Sequence, residues 1–331
     1  YTLSSSQTLR TGKIVIGVNS TDVEDAENLH AIVVEYRAPS GSWSSTYLST
    51  IFYNSTCQCW QTNFTPPTIA ELGYYDLRFK VTDTDNGTTG WSTYSNVMNV
   101  VSNPPVITSY SISDNDLYRT ETSVVQVGVY DVEDSNSSMS IVAQHRSPSG
   151  DWSSSYFATA WFNDTAGLWS TNFTPTVSAE LGAYDIRVQV VDLDGGSSDW
   201  STHPDDVMVR NNYPEFINYT INQSQVLRTE SLLIWVDSYD TEDSEYDHGI
   251  IVETRSESGD WNSELLTVSG YDFNSDNWKV NFTPMATSEL GNYDVRIMVN
   301  DTDGDSTDWA TFDDVISVFN NNPVLVDHSF N

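Results

Sequence analysis

Glu71-Leu72-Gly73-Tyr74-Tyr75-Asp76-Leu77-Arg78-Phe79-Lys80-Val81-Thr82-Asp83-Thr84-Asp85 is the stretch that decides the architecture. Tyr75, Leu77, Phe79 and Val81 alternate with Asp76, Arg78 and Lys80, the period of a strand with one buried face. The stretch returns from Glu180 and again from Glu289, a step of 109 residues each time. Other series keep that step: Arg-Thr at Arg10, Arg119 and Arg228; Ser-Gly-x-Trp ending at Trp43, Trp152 and Trp261; Asn-Phe-Thr-Pro from Asn63, Asn172 and Asn281. Three units of single-domain size therefore stand in tandem. Turn signals such as Pro39-Ser40-Gly41, Asp85-Asn86-Gly87 and Pro148-Ser149-Gly150 punctuate each unit, and no segment holds a helical apolar period. Short strands at this spacing predict an all-β chain of three β-sandwiches.

Glu-Leu-Gly-x-Tyr-Asp followed by alternating apolar residues and Asp-x-Asp resembles the sixth strand and following loop of immunoglobulin-like and PKD-type domains, which are common in bacterial and archaeal surface proteins. The Gly-x-Tyr pairs Gly73/Tyr75, Gly182/Tyr184 and Gly291/Tyr293 resemble the tyrosine corner, which implies a hydroxyl pinning the approach to that strand. The sequence departs from those families in lacking an inter-sheet cysteine pair and the PKD-type Trp-Asp-Phe-Gly-Asp-Gly run. The expected units are 1–103, 104–212 and 213–322, with Pro105, Pro214 and Pro323 two residues after Asn103, Asn212 and Asn321. Joints so short leave adjacent units in contact and predict a rod.

Charge narrows the functions. The 331 residues hold 13 Lys+Arg against 47 Asp+Glu, a formal net charge of −34. Such a surface repels phosphate backbones and anionic lipid headgroups, which argues against nucleic-acid partners and basic-patch membrane binding. No apolar run approaches the length of a transmembrane helix, so direct membrane insertion is not expected. The apolar fraction of 38% suffices for folded cores.

Two acidic clusters repeat in register. One is Asp22/Glu24/Asp25, Asp131/Glu133/Asp134 and Asp240/Glu242/Asp243; the other is Asp83/Asp85, Asp192/Asp194 and Asp301/Asp303. In an immunoglobulin-like topology both loops emerge at the end that meets the preceding unit. Five carboxylates beside a joint call for a neutralising cation, and flexible oxygen-rich loops suit Ca²⁺, by a logic similar to cadherin joints. The alternative is a solvated acidic loop. Nine of the ten arginines fall in the columns Arg10/119/228, Arg37/146/255 and Arg78/187/296, where framework bridging of carboxylates or carbonyls is the expectation and ligand binding the alternative. Tryptophans form the columns Trp43/152/261, Trp60/169/278 and Trp91/200/309, read as core or edge cover, with the Trp43 column the most exposed and a surface polysaccharide the alternative use.

Eleven Asn-x-Ser/Thr sequons, at Asn19, Asn54, Asn63, Asn86, Asn136, Asn163, Asn172, Asn218, Asn222, Asn281 and Asn300, point to N-linked glycans. No Ser-His-Asp or Cys-His arrangement and no phosphate loop is readable, so the chain is not expected to be an enzyme. Cys57 and Cys59 occur in the first unit only, as a local disulfide, a metal pair or an incidental one.

The frame of the repeat places Tyr1 level with Tyr110, so the first unit reads as lacking its first strand. Residues 323–331, with Pro323, Val324, Leu325, Val326 and Phe330, read as the first strand of a further unit. Two expectations follow: donor-strand exchange between copies, head to tail, or a window from a longer array. Either makes the chain a structural element of a filament, stalk or surface layer, extracellular or on a cell surface. A carbohydrate-binding surface adhesin is the alternative.

Overall fold

The computed structural model describes residues 1–327; Phe330 lies outside the described residues. The chain folds as three antiparallel β-sandwiches, and the second shows the plan most fully. One sheet runs Val106–Ile112, Ser123–Tyr130, Leu168–Phe173 and Trp161–Asn163 in spatial order. The other runs Asp116–Tyr118, Ser201–Arg210, Gly182–Val191 and Ser140–Arg146. The opening segment thus divides between sheets, its first part antiparallel on one and its second part parallel to the last strand on the other.

Alternation fills the space between the sheets. Val125, Val127 and Val129 from one face Ile186, Val188 and Val190 from the other, all buried. The deciding stretch becomes the ten-residue strands Gly73–Thr82, Gly182–Val191 and Gly291–Asn300, each paired on both sides. Its glycine is required by the turn into the strand: φ is +119° at Gly73, +123° at Gly182 and +116° at Gly291. The tyrosine corner is present in each unit, with Tyr75, Tyr184 and Tyr293 donating to the carbonyls of Glu71, Glu180 and Glu289 at 2.8, 2.9 and 3.0 Å.

The first unit corrects one expectation. Its first strand is shortened, not missing: Thr2 and Leu3 pair antiparallel with Gly17 and Ile16, and Gln7–Leu9 pair parallel with Asn99, Val100 and Val101. Tyr1-Thr2-Leu3 carries on the column of Tyr110-Ser111-Ile112, and Leu3 packs on the core, so three residues suffice to seat the segment. At the other end, Val324, Leu325 and Val326 are exposed and in no strand.

Candidate functional site

The repeated motifs converge where one unit meets the next. After Arg10, Thr11 takes a left-handed backbone at φ +62°, a strained choice for a β-branched residue, held by its N–H donating to the Pro66 carbonyl at 2.7 Å. Thr120 and Thr229 repeat this on Pro175 and Pro284. The kink aims the arginine. Arg10 Nε donates to the Ala70 carbonyl at 2.7 Å, and its Nη1 crosses into the second unit to meet Asp194 at 2.6 Å and Glu133 at 3.1 Å. Glu133 is also gripped from the connecting segment: Ser102 Oγ, Asn103 N and Asn103 Nδ2 donate to it at 2.7, 3.1 and 2.6 Å. Burial works against both charges, yet Asp194 and Glu133 hold the Arg10 pKa above its ordinary value. Likewise Ser102, Asn103 and Arg10 hold the Glu133 carboxyl below its usual range.

The second joint keeps the clamp and varies its seat. Arg119 Nε donates to the Ala179 carbonyl at 2.8 Å, and Nη1 lies 2.6 Å from Asp303 and 3.6 Å from Glu242. Asn212 supplies its N–H and side-chain amide to Glu242, as Asn103 does to Glu133. Where the first joint has Ser102, this one has Asn211, whose amide donates to Asp301 Oδ2 at 2.7 Å and Asp305 Oδ2 at 3.1 Å. Glu242 therefore lacks the hydroxyl that Glu133 receives, and burial raises its pKa despite Asn212 and Arg119.

Three of the five acidic positions close or link their loops in every unit. Asp22, Asp131 and Asp240 accept backbone N–H groups two and three residues ahead, closing their loop. Asp25, Asp134 and Asp243 accept the N–H of Thr84, Leu193 and Thr302 in the neighbouring loop, at 3.0, 3.4 and 2.9 Å. Asp83, Asp192 and Asp301 accept an N–H four residues on, from Gly87, Gly196 and Asp305. Glu24 and Asp85, which correspond to the arginine-bound acids, are exposed in the first unit. Among the described residues no three His, Cys, Asp or Glu side chains come together as a metal cage. The positive charge that sequence reasoning assigns to calcium is supplied at Glu133 and Asp194 by an arginine of the preceding unit. Sequence reading places that arginine in the framework; the signal that reveals its partner is the shared 109-residue step of base and acid columns.

The other arginine and tryptophan columns stack within each unit. Arg37 and Arg78 lie over Trp43 at 5.0 and 4.5 Å, and Arg78 also lies over Trp91 at 4.0 Å; the second and third units repeat the ladder. Arg37 and Arg78 are anchored by Asp76 and Glu35. The third column, Trp60, Trp169 and Trp278, donates to backbone carbonyls of Glu27, Asn136 and Glu245 at 2.8–3.0 Å. The Trp43 column is thus half-buried between guanidinium groups and not a free platform. His30 and His248 share one column, each bonded through Nδ1 to a serine, Ser20 and Ser238. Cys57 and Cys59 form a disulfide. Of the sequon asparagines, Asn19, Asn86, Asn218 and Asn222 are exposed; Asn54, Asn63, Asn136, Asn163, Asn172, Asn281 and Asn300 are half-buried.

The chain is an array of immunoglobulin-like sandwiches. No protein-family model and no curated protein matches it. Among solved structures it is similar to titin domains Z1Z2 in complex with telethonin (13% identity, TM-score 0.35, covering 67% of this chain and 100% of that one). It is also similar to the Escherichia coli adhesin FdeC (12%, TM-score 0.30, 96% and 95%) and to the mouse nectin-like molecule 4 ectodomain (10%, TM-score 0.29, 97% and 100%). The sandwich is evident from the chain's own sheet order, and nothing that those proteins bind carries over at these values. Among the described residues, no helix is long and apolar enough to cross a membrane.

Proposed function

We propose that this chain is a structural segment of an extracellular or cell-surface protein, an array whose units are held in fixed succession and which belongs to a filament, stalk or surface layer. The repeated clamp carries the reading. Arg10 to Asp194 and Arg119 to Asp303 span the same number of residues at the same 2.6 Å, so each joint is built, by one rule, to hold its neighbour. The repeated framework motifs serve to fold each unit and to join it to the next, as a scaffold requires, and a catalytic role is not part of the proposal. The array extends itself by further units of the same kind, in a longer chain or through head-to-tail contact with a second copy in which Val324–Val326 add to a sheet edge. The exposed sequons Asn19, Asn86, Asn218 and Asn222 are its glycan sites. Negative-stain microscopy tests the reading: wild type should give particles of three units with a narrow range of inter-unit angles, and Arg119→Glu should widen the range at the second joint alone. Equal flexibility in both proteins would overturn it.

A second reading, binding of a surface polysaccharide, rests on a different place from the tryptophan columns. The third unit alone adds Tyr246 and Phe273 around Tyr271, with Phe273 73% exposed and the Tyr271 hydroxyl donating to Glu245 at 2.8 Å. Aromatic faces beside a carboxylate are what a sugar ring needs. Titration with neutral polysaccharides, followed by fluorescence of wild type and Phe273→Ala, separates the readings: quenching abolished by Phe273→Ala supports the adhesin.

A further inference from the structure

The two joints differ in one respect that the clamp does not explain. In the second unit, Asp131 and Asp192 are each 7% exposed, and the Oδ2 atom of each is buried without a hydrogen-bond partner, their Oδ1 atoms being taken by backbone N–H groups. In the third unit the atom corresponding to Asp192 Oδ2 is Asp301 Oδ2, and there Asn211 donates an amide hydrogen to it. The first joint has Ser102 in place of Asn211, and Ser102 is turned to Glu133. It also has Gly196 in place of Asp305, and Asp192 Oδ2 lies over that glycine, 2.4 Å from where a Cβ would stand. The same carboxylate oxygen is thus satisfied in one joint and bare in the other.

Two bare, buried carboxylate oxygens are expensive to leave uncompensated. The loops that carry them are stitched together on either side: Asp134 accepts the Leu193 N–H, and Arg10 Nη1 holds Glu133 and Asp194 at once. The arginine directs Nε to Ala70 and Nη1 to Glu133 and Asp194, and makes no hydrogen bond to Asp131 or Asp192.

We infer that the second unit binds one hard divalent cation, Ca²⁺ or Mg²⁺, between Asp131 Oδ2 and Asp192 Oδ2, beside the arginine clamp. Water completes its shell, since protein carboxylates supply only two ligands, and that composition suits hard cations held with modest affinity. The electrostatics agree: burial, then the charges of Asp131 and Asp134, raise the Asp192 carboxyl above its ordinary pKa, a penalty that a cation between them removes. The third unit leaves only Asp240 Oδ2 bare at this place, since Asn211 donates to Asp301 Oδ2, so one saturable site per chain is expected.

The test is calorimetric titration of the full chain with CaCl₂, and separately MgCl₂, in about 0.15 M KCl, where diffuse counter-ions are largely screened. Wild type should bind one ion per chain with Kd on the order of 10⁻⁴–10⁻³ M. Asp192→Asn keeps the Gly196 hydrogen bond and should weaken binding at least tenfold. Ser102→Asn, which offers the amide that Asn211 supplies in the other joint, should do the same. Asp301→Asn should leave binding unchanged. The arm with the tighter Kd identifies the ion. The inference is overturned by the absence of a saturable site in wild type, which would mean a counter-ion atmosphere or a shared proton. It is also overturned if Asp192→Asn and Ser102→Asn both bind as wild type does. Because binding is read directly, either failure leaves the scaffold reading intact.

Discussion

Arg119 and Asp303 lie 2.6 Å apart across 184 residues of chain, and Arg10 and Asp194 repeat that contact at the same distance and separation. A base column in one unit and an acid column in the next therefore form a single joint, and the repeat length sets which residues meet. The guanidinium of Arg119 is largely buried, with 10% of its side chain exposed, and Glu242 beside it has 3%. Removing the base leaves an acid buried without its cation.

Arg119→Ala should loosen the second joint by up to about 3 kcal/mol, the lower end for a broken buried pair because Asp303 is a third exposed. The first sandwich should keep its melting temperature, whereas the second also loses the bond from Arg119 Nε to the carbonyl of buried Ala179 and should melt lower. Limited proteolysis is the measurement: cleavage in the 211–214 connection should accelerate, with the 102–105 connection unchanged.

Acid should separate the two joints. Glu133 has its pKa held below the ordinary value, so it contributes stability at neutral pH that is lost as pH falls through that lowered pKa. Glu242 has its pKa raised, so its burial penalty is present at neutral pH and is relieved as pH falls through that raised pKa. The N–H groups of Asn103 and Asn212 report on the two carboxylates, each donating at 3.1 Å. On acidification the amide shift of Asn212 should titrate at higher pH than that of Asn103; the reverse order would contradict the assignment.

The sandwich and its number of units were legible because period-2 alternation and a fixed 109-residue step need no tertiary information. The deciding stretch became a strand in every unit, and its tyrosine found the carbonyl four residues back. The joint was only half legible. The acid clusters and arginine columns are visible in the sequence, but nothing local shows that Arg10 points out of its own unit: that direction comes from the left-handed turn at Thr11 and its bond to Pro66. Likewise, Trp43 beside a Ser-Gly turn reads as exposed until Arg37 and Arg78 are seen on its faces, pairings set by strand register. The opening strand of the first unit was missed because three residues fall below any periodicity signal.

His145 should make the second unit acid-sensitive. It stands where the first unit has Tyr36, 5% exposed and stacked on Tyr156 at 4.2 Å, and burial lowers its pKa from 6.5 to about 4. The unfolded chain takes up this proton near 6.5, so the stability held by the neutral ring is present above that pH and is lost progressively down to about 4. His145→Tyr, which places there the residue that the first unit has as Tyr36, stacked on Tyr47, should flatten the melting profile of the second unit between those values. Calorimetry at pH 7 and pH 4.5 checks it.

Tyr184→Phe isolates what the tyrosine corner contributes. The ring is fully buried, and its hydroxyl donates to the Glu180 carbonyl at 2.9 Å while the Glu180 side chain accepts Ser149 N and Oγ at 3.1 and 2.9 Å. The hydroxyl and the serine therefore hold the same residue from two sides, tying the Ser-Gly turn to the entrance of the central strand. Losing the hydroxyl leaves packing intact but a buried carbonyl without its donor, at a cost of about 1–3 kcal/mol. For a unit of this size, that lowers its melting temperature by roughly 4–8 °C per kcal/mol. The other two units keep their own corners, so only one of three calorimetric transitions should move. A shift of all three together would mean that the joints couple the units into one cooperative block, with the corner's cost shared along the array.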